Sequence, residues 1–206
     1  MSFEYLQNQF AEVFLLALEK RDIYTKEHSN RISLLARELS MELRFGGVNV
    51  KNVVLAAKLH DIGKIGISDA ILLKRGKLND EEFRMIKTHP EIGAGMLDKI
   101  SIFSHIKSFV LLHHERFDGK GYPYGLKENE IPIESRIIGI ADAVDAMLSA
   151  RSYRNPMPLA VVLKELEDNK GKQFDPYIVS KAVKVIETYA DIFAEKEIFT
   201  GGRYGS

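Results

Sequence analysis

His60, Asp61 and Lys64 place an imidazole, a carboxylate and an ammonium within five residues, directly after the apolar run Val53 to Leu59. A segment that reads as buried therefore delivers three ionisable groups to one place, and a carboxylate taken out of water must be paired or bound to metal. The chain offers further donors in His28, His89, the doublet His113-His114 and Asp142, so five of the six histidines belong to one candidate set. Each has an ordinary explanation on its own. A single histidine on an apolar face, as His28 is, is more commonly a hydrogen-bonded core residue, and one of two successive helical histidines can face solvent because their side chains diverge by about 100°. Together the set supplies seven nitrogen or oxygen ligands with no thiolate among them, which suits two divalent ions sharing a bridging group.

Composition narrows what the rest of the chain can be. With 206 residues, 45% of them hydrophobic and 28% charged, it fits one sizeable globular domain preceded by a short helix. Lys+Arg and Asp+Glu balance at 29 each, so no global field recruits a nucleic-acid polymer, and an anionic ligand must be held by a local cluster. The absence of cysteine excludes disulfides, thiolate metal sites and a cysteine nucleophile. The apolar run Val13 to Leu18 is too short to span a bilayer, and Glu4 and Glu12 precede it, so the expectation is no membrane span and a cytoplasmic location.

The elements that must position these donors read as helices, giving an all-α class with about eight to ten of them. Phe3, Leu6, Phe10, Val13 and Ala17 form a heptad-like stripe on a first helix, residues 1–20, which Phe14, Leu15 and Leu18 widen and which either packs on its own chain or pairs between chains. A second helix carries His28, Ile32, Leu35, Leu39 and Leu43 on one face and is expected to end at Gly46-Gly47, and a third runs up to His60. Asn79 to Glu82 reads as a capped helix start, and Pro90 fits the first turn of the next helix, which leaves His89 at a junction. Ser101 is expected to cap a helix running to His113-His114, followed by a glycine-rich loop, Asp118 to Gly125, where backbone can approach a ligand closely. Pro132 opens a helix on which Asp142 and Asp145 lie three apart, so both acids are expected to look into one cleft. Helices from Leu159 to Asp168 and from Pro176 to about Tyr189 complete a domain over 21–199, and residues 200–206 read as a disordered tail.

The runs His60-Asp61-Ile62-Gly63-Lys64, His113-His114-Glu115-Arg116-Phe117-Asp118-Gly119-Lys120-Gly121-Tyr122-Pro123 and Ala141-Asp142-Ala143-Val144-Asp145-Ala146 resemble the HD-GYP domain family, a branch of the HD phosphohydrolase superfamily. The resemblance extends from about Arg21 to about Ala190. It implies a helical domain of HD type that binds iron, manganese or similar divalent ions. The implied reaction is hydrolysis of the bacterial signalling messenger cyclic di-GMP, by a metal-activated hydroxide, to the linear dinucleotide pGpG or to GMP. By resemblance, His28, His60, Asp61 and Asp142 match the shared metal ligands, with Asp61 bridging, and His89, His113 and His114 match those of the additional ion. Lys64 matches the lysine beside the scissile phosphate, and Gly121 and Tyr122 match the loop bordering the nucleotide. Asp145, Arg151 and Arg154 match contacts to guanine or phosphate, although the two arginines also read as ordinary surface charges. One departure bears on stoichiometry: Tyr24 stands where members with three metals carry a glutamate, so two ions per chain are expected. The alternatives are a slow receptor for the same messenger, or another metal-dependent nucleotide phosphohydrolase. A homodimer or an upstream sensor region is the expected partner of the first helix.

Overall fold

The computed structural model describes residues 2–21, 25–149 and 155–200. In chain order it contains α1 (Phe3–Glu19), α2 (Thr25–Glu42), α3 (Gly47–Leu59), α4 (Asp69–Leu72), α5 (Asp80–Ile86), α6 (His89–Asp98), α7 (Lys107–Leu111), α8 (Ile133–Leu148), α9 (Leu159–Asp168) and α10 (Pro176–Thr200). Single 3-10 turns lie at Ile62–Gly66, Ser101–Phe103 and Glu128–Glu130. Among the described residues there is no strand, only isolated bridges such as Asp118 with Lys127.

The fold is built around α3. Val53, Leu55, Ala56, Ala57 and Leu59 are all buried, so the C-terminal half of this helix must be covered on several sides, whereas its first turns, with Val48 and Lys51, are exposed. α2 lies along it, and α1, α7 and α8 close over the remainder. Leu35, Leu39, Ile137, Ile138, Ile140 and Val144 complete a shared core that extends to Val162, Leu166, Ile178 and Val179 of α9 and α10. The chain then leaves α3 into the 3-10 turn, which packs tightly against α6. Gly63 makes that approach feasible: a β-carbon there would collide with the His89 carbonyl oxygen and lie 2.5 Å from the Gly93 nitrogen.

Helix boundaries match the local signals where those signals are self-contained. Asn79 and Glu82 form a capping box at the start of α5, Pro90 lies in the first turn of α6, and Asp175 accepts from the amides of Tyr177 and Ile178 at the start of α10. Elsewhere the structure corrects the expectation. α2 ends before the glycines, because Arg44 takes a left-handed conformation (φ 60°) and Phe45 N–H reaches back to the Ser40 carbonyl at 3.0 Å, closing the helix in a Schellman arrangement. Gly46 instead caps α3. The expected helix from Ser101 to His114 is split into a 3-10 turn and the five-residue α7, so His113 and His114 lie beyond its end. α10 continues past Tyr189 to Thr200. Tyr24, Arg151, Arg154 and most of the expected tail, 201–206, lie outside the described residues.

The first helix buries the widened edge of the expected apolar face and leaves the heptad-like stripe outside. Ala11, Leu15 and Leu18 are buried against the core, and Phe14 meets Phe103 with ring centroids 6.1 Å apart. The stripe through Phe10 and Val13 points outward, with these two 44% and 60% exposed. Leu15→Ala should therefore lower the unfolding free energy by about 2–5 kcal/mol, and Val13→Ala should change it by about 0.5 kcal/mol or less. Urea titration of the two variants checks this, and equal effects would contradict the burial pattern.

Candidate metal centre

Five elements deliver the donors to one point. His28 comes from α2, His60 and Asp61 from the end of α3, His89 from the first position of α6, His113 and His114 from the turn after α7, and Asp142 from the middle of α8. All seven sequence-identified donors converge. Ring centroids of neighbouring histidines are 4.0 to 5.5 Å apart, from His28–His60 at 5.4 Å through His60–His113 at 5.1 Å to His113–His114 at 4.0 Å. The donor atoms gather into three overlapping groups: His28 with His60 and Asp142, His60 with Asp61 and His113, and His89 with His113 and His114, each within 4.8 Å. Because His113 and His114 lie past a helix end, the 100° divergence does not apply and both rings face the centre.

Asp61 sits between the groups. Its Oδ2 is 3.3 Å from His60 Nε2 and 3.9 Å from His28 Nε2, while its Oδ1 is 3.3 Å from His89 Nε2. On the far side of three rings the partner is backbone: His60, His89 and His113 place Nδ1 at 2.7, 2.7 and 2.6 Å from the carbonyls of Ala57, Ile86 and Val110. A carbonyl only accepts, so Nδ1 carries a proton in each ring, and in the neutral form Nε2 presents a bare lone pair inward, as it does in His89 and His113, while in His60 the neighbouring Asp61 favours a second proton there. Those three Nε2 atoms are buried and have no hydrogen-bond partner. Buried acceptors left open in this way call for a missing partner, and a divalent cation among imidazole and carboxylate ligands fits them.

Protonation tendencies agree with that chemistry. Burial pushes His89 and His113 below the ordinary histidine value and His114 down to about 4, so all three are neutral at pH 7. His60 differs: burial works against its charge, but the adjacent Asp61 carboxylate, with help from Asp142, outweighs it and lifts the ring to about 9. Burial likewise opposes ionisation of Asp61, yet Lys64 and His60 hold it well below the usual carboxylate range. Burial raises the Tyr122 phenol, with Asp61 and Asp142 adding to it.

Lys64 Nζ reaches Asp61 Oδ2 at 2.6 Å, and the Tyr122 ring stacks on His114 at 4.7 Å with 28° between planes. The loop carrying Tyr122 is clamped by backbone: Tyr122 N–H donates to the His114 carbonyl at 3.2 Å, and the amides of Tyr124 and Gly125 donate to Glu115 Oε1 at 2.7 and 3.1 Å. Gly121 has no room for a side chain, since a β-carbon would lie 2.5 Å from Glu115 Cα and 2.6 Å from the His114 carbonyl oxygen. A cavity of about 170 Å³ adjoins the centre, bordered by His113, His114, Asp142, Arg116 and Arg136. Asp145 does not join Asp142 in an open cleft. Its side chain is 2% exposed, with Oδ2 2.6 Å from His28 Nδ1 and Arg31 donating to both oxygens at 2.5 and 3.1 Å. Arg31 and the loop-clamping role of Glu115 were not foreseen from sequence. The spacing of Arg31 three residues after His28, on the same helix face, is the signal that points to it.

Comparison with known proteins bears on the same residues. Residues 13–178 match the HD domain family. A cyclic di-GMP phosphodiesterase of Thermotoga maritima is 41% identical over 188 residues, covering 90% of this chain and 51% of that protein. The 3'3'-cGAMP-specific phosphodiesterase 3 of Vibrio cholerae is 33% identical over 194 residues, covering 92% of this chain and 42% of that protein. The chain thus spans about half the length of the curated relatives it matches. Among solved structures, an HDG"Y"P protein from Bdellovibrio bacteriovorus superposes with a TM-score of 0.67 at 19% identity, covering 90% of this chain and 63% of that one, which shows the helical fold.

A divalent ion needs His60 neutral, whereas the metal-free ring is protonated up to about pH 9. Uptake of Mn²⁺ at pH 7 should release about one proton, and affinity should rise about tenfold per pH unit below that value. Calorimetry in buffers of different ionisation enthalpy reads the proton directly. An affinity that stays constant from pH 7 to 8.5 would contradict the geometry around Asp61.

Proposed function

The chain belongs to the HD domain family, and on that footing we propose that it is a metal-dependent phosphodiesterase that hydrolyses cyclic di-GMP to pGpG, GMP or both. The observation that carries the reading is the convergence of five histidines on two carboxylates, with orphaned, buried Nε2 atoms on the neutral His89 and His113 and with a lysine and a clamped tyrosine loop at the edge. The names of relatives over nearly the whole of this chain support the substrate class. We assign His28, His60, Asp61, His89, His113, His114 and Asp142 as ligands of two divalent ions, iron or manganese, with Asp61 shared between them.

Bound there, such ions would supply hydroxide near neutral pH and polarise the phosphodiester. The chain's own residues do the rest. Helix ends fix the rings so that no reorganisation is needed when substrate arrives. Lys64, already 2.6 Å from the shared carboxylate, lies where its ammonium can neutralise a non-bridging phosphate oxygen as charge develops. Tyr122, braced on His114, walls one side of the nucleotide site, and Gly121 lets the loop approach closely enough for it to do so. Lys87 stands beside that wall, its Nζ 5.2 Å from the Tyr122 ring centroid. Arg151 and Arg154 are assigned to guanine or phosphate by resemblance. The chemistry proposed is cytoplasmic, and no helix among the described residues is long and apolar enough to cross a membrane.

Turnover should be measured on protein loaded anaerobically with iron or manganese, comparing cyclic di-GMP with 3'3'-cGAMP, pGpG and nucleoside monophosphates. Cyclic di-GMP should be the preferred substrate. Preference for 3'3'-cGAMP would move the chain to the specificity of its Vibrio relatives, and turnover of monophosphates alone would sink the reading. Lys64→Ala should lower kcat by on the order of 10²–10³ with metal content unchanged, whereas a rise confined to KM would assign the lysine to ground-state binding.

The outward stripe on α1 supports a partner as well. Phe10 and Val13 are exposed and three positions apart on a helix whose other face is already buried, so we propose that they pair with a second copy or with an upstream sensor helix. Phe10→Ser with Val13→Ser should lower the mass seen by light scattering while the fold persists by circular dichroism. An unchanged mass would return the stripe to ordinary surface.

A further inference from the structure

Lys64 carries its charge on a flexible four-carbon stem, so where the ammonium can reach depends on where its backbone is held. The 3-10 turn Ile62–Gly66 is short and has few bonds of its own. Lys64 N–H donates to the Asp61 carbonyl at 2.9 Å, and Ile67 N–H donates to the Lys64 carbonyl at 3.1 Å. α6 abuts the turn where β-carbons at Gly63 and Gly66 would meet the His89 carbonyl and the Ile92 side chain. Two further carbonyls of the segment, those of Ile65 and Ile67, are taken by a residue more than forty positions earlier.

That residue is Arg21, which follows directly on Lys20, the cap of α1. Its Nη1 donates to the Ile65 carbonyl and its Nη2 to the Ile67 carbonyl at 2.7 Å. Nε and Nη2 also meet Asp69 Oδ1 at 3.1 and 2.5 Å, so one planar fork spans residues 65 to 69. The Asp69 side chain is 64% exposed, and an ion pair in that setting adds little. The partly buried carbonyls are the anchor points. They lie one and three residues after Lys64, so Arg21 holds the backbone where it leaves the turn while Asp61 and α6 hold it where it enters. Lys64 Nζ rests on Asp61 Oδ2 at 2.6 Å. Once that oxygen is shared with a cation, the ammonium keeps its place through the backbone that carries it.

We propose that Arg21 is the positioning residue for Lys64: by holding the carbonyls of Ile65 and Ile67 it fixes the turn from which Lys64 reaches the phosphodiester. The end of α1, the helix with the outward stripe, thereby becomes part of the frame of the site. The proposal rests on the phosphodiesterase reading above.

A double-mutant cycle on Mn²⁺-loaded protein, read as turnover of cyclic di-GMP and as metal content, tests it. Arg21→Gln should lower kcat by about 10–100-fold, with KM and metal content little changed. Added to Lys64→Ala it should cost less than about twofold more, because a residue that acts through another has nothing left to act on. Losses that multiply, or a metal content that falls along with kcat, would make Arg21 a general support and overturn the proposal. Asp69→Ala leaves both carbonyl bonds in place and should stay within about twofold of wild type. A loss as large as that of Arg21→Gln would also overturn it. Hydrogen exchange on the metal-free protein reads the turn without turnover: the amides of Lys64 and Ile67 should exchange about tenfold faster in Arg21→Gln, and those of Leu55 and Leu59 at the wild-type rate. Unchanged protection of the turn would count against the clamp whatever the activity. Wild type that hydrolyses no cyclic dinucleotide would instead sink the phosphodiesterase reading, and the exchange rates would still decide whether Arg21 holds the turn. Should Arg21→Gln not fold, Arg21→Lys takes its place with the same expected pattern, since a single ammonium does not reproduce the planar fork.

Discussion

The Asp61 carboxylate sits just past the buried C-terminal end of α3, and most of the structure around it can be read as the means of keeping it charged there. An isolated carboxylate moved out of water would take up a proton rather than stay ionised. Here Lys64 and His60 hold it ionised, and its two oxygens face different histidines. Everything that converges on the site, from α2 to α8, does so within reach of this one group. Its location at the boundary between α3 and a 3-10 turn also matters, because the helix supplies rigidity and the turn supplies the change of direction that brings α6 alongside.

Helix ends organise the histidines in a way that a uniform helix surface could not. The last carbonyls of a helix lack an intrahelical partner, and Ala57, Ile86 and Val110 all lie in the final turns of α3, α5 and α7. In each case the histidine three residues later donates Nδ1–H to that carbonyl. One hydrogen bond thus satisfies an orphaned backbone acceptor, sets the tautomer and aims Nε2 inward. The repeated three-residue offset explains how rings from separate segments share an orientation without a common scaffold element. His28 lies inside α2, where no such carbonyl is free, and it is the ring that needs a side chain, Asp145, to do the same job.

What could be read from the sequence follows the range of the forces involved. The donor set was legible because metal ligation demands particular residue types, and the absence of cysteine left only histidine and carboxylate to supply them. The cap at Asn79 and the placement of Pro90 were legible because they depend on four or five consecutive residues. The break between Ser101 and His113 was not, since the buried Phe103, Ile106 and Val110 keep the i, i+3, i+7 spacing of one continuous helix, and that periodicity hides the interruption between Phe103 and Lys107. Which edge of the wide apolar face of α1 meets the core was likewise not legible. Two apolar stripes overlap on that helix, and periodicity alone does not say which one meets α2 and α3. Asp145 was placed in the open cleft because its spacing from Asp142 fixes the helix face but not the neighbour, and the neighbour, Arg31, comes from a helix more than a hundred residues away in sequence.

A centre of this kind sets the terms for the fold that carries it. Two buried neutral nitrogen acceptors without partners, on His89 and His113, each cost about 1–3 kcal/mol, a large fraction of the net stability of an ordinary domain. The surrounding core must offset that cost before any ligand binds, which is consistent with the burial of the C-terminal half of α3 and with the Ile and Leu residues of α2 and α8 packed against it. A ligand that binds only the folded chain returns stability by mass action, so occupancy of the centre and persistence of the fold are linked. The strain of presenting open lone pairs and the rigidity of the helical frame are two sides of one requirement: the rings must already point at the place where a cation will sit.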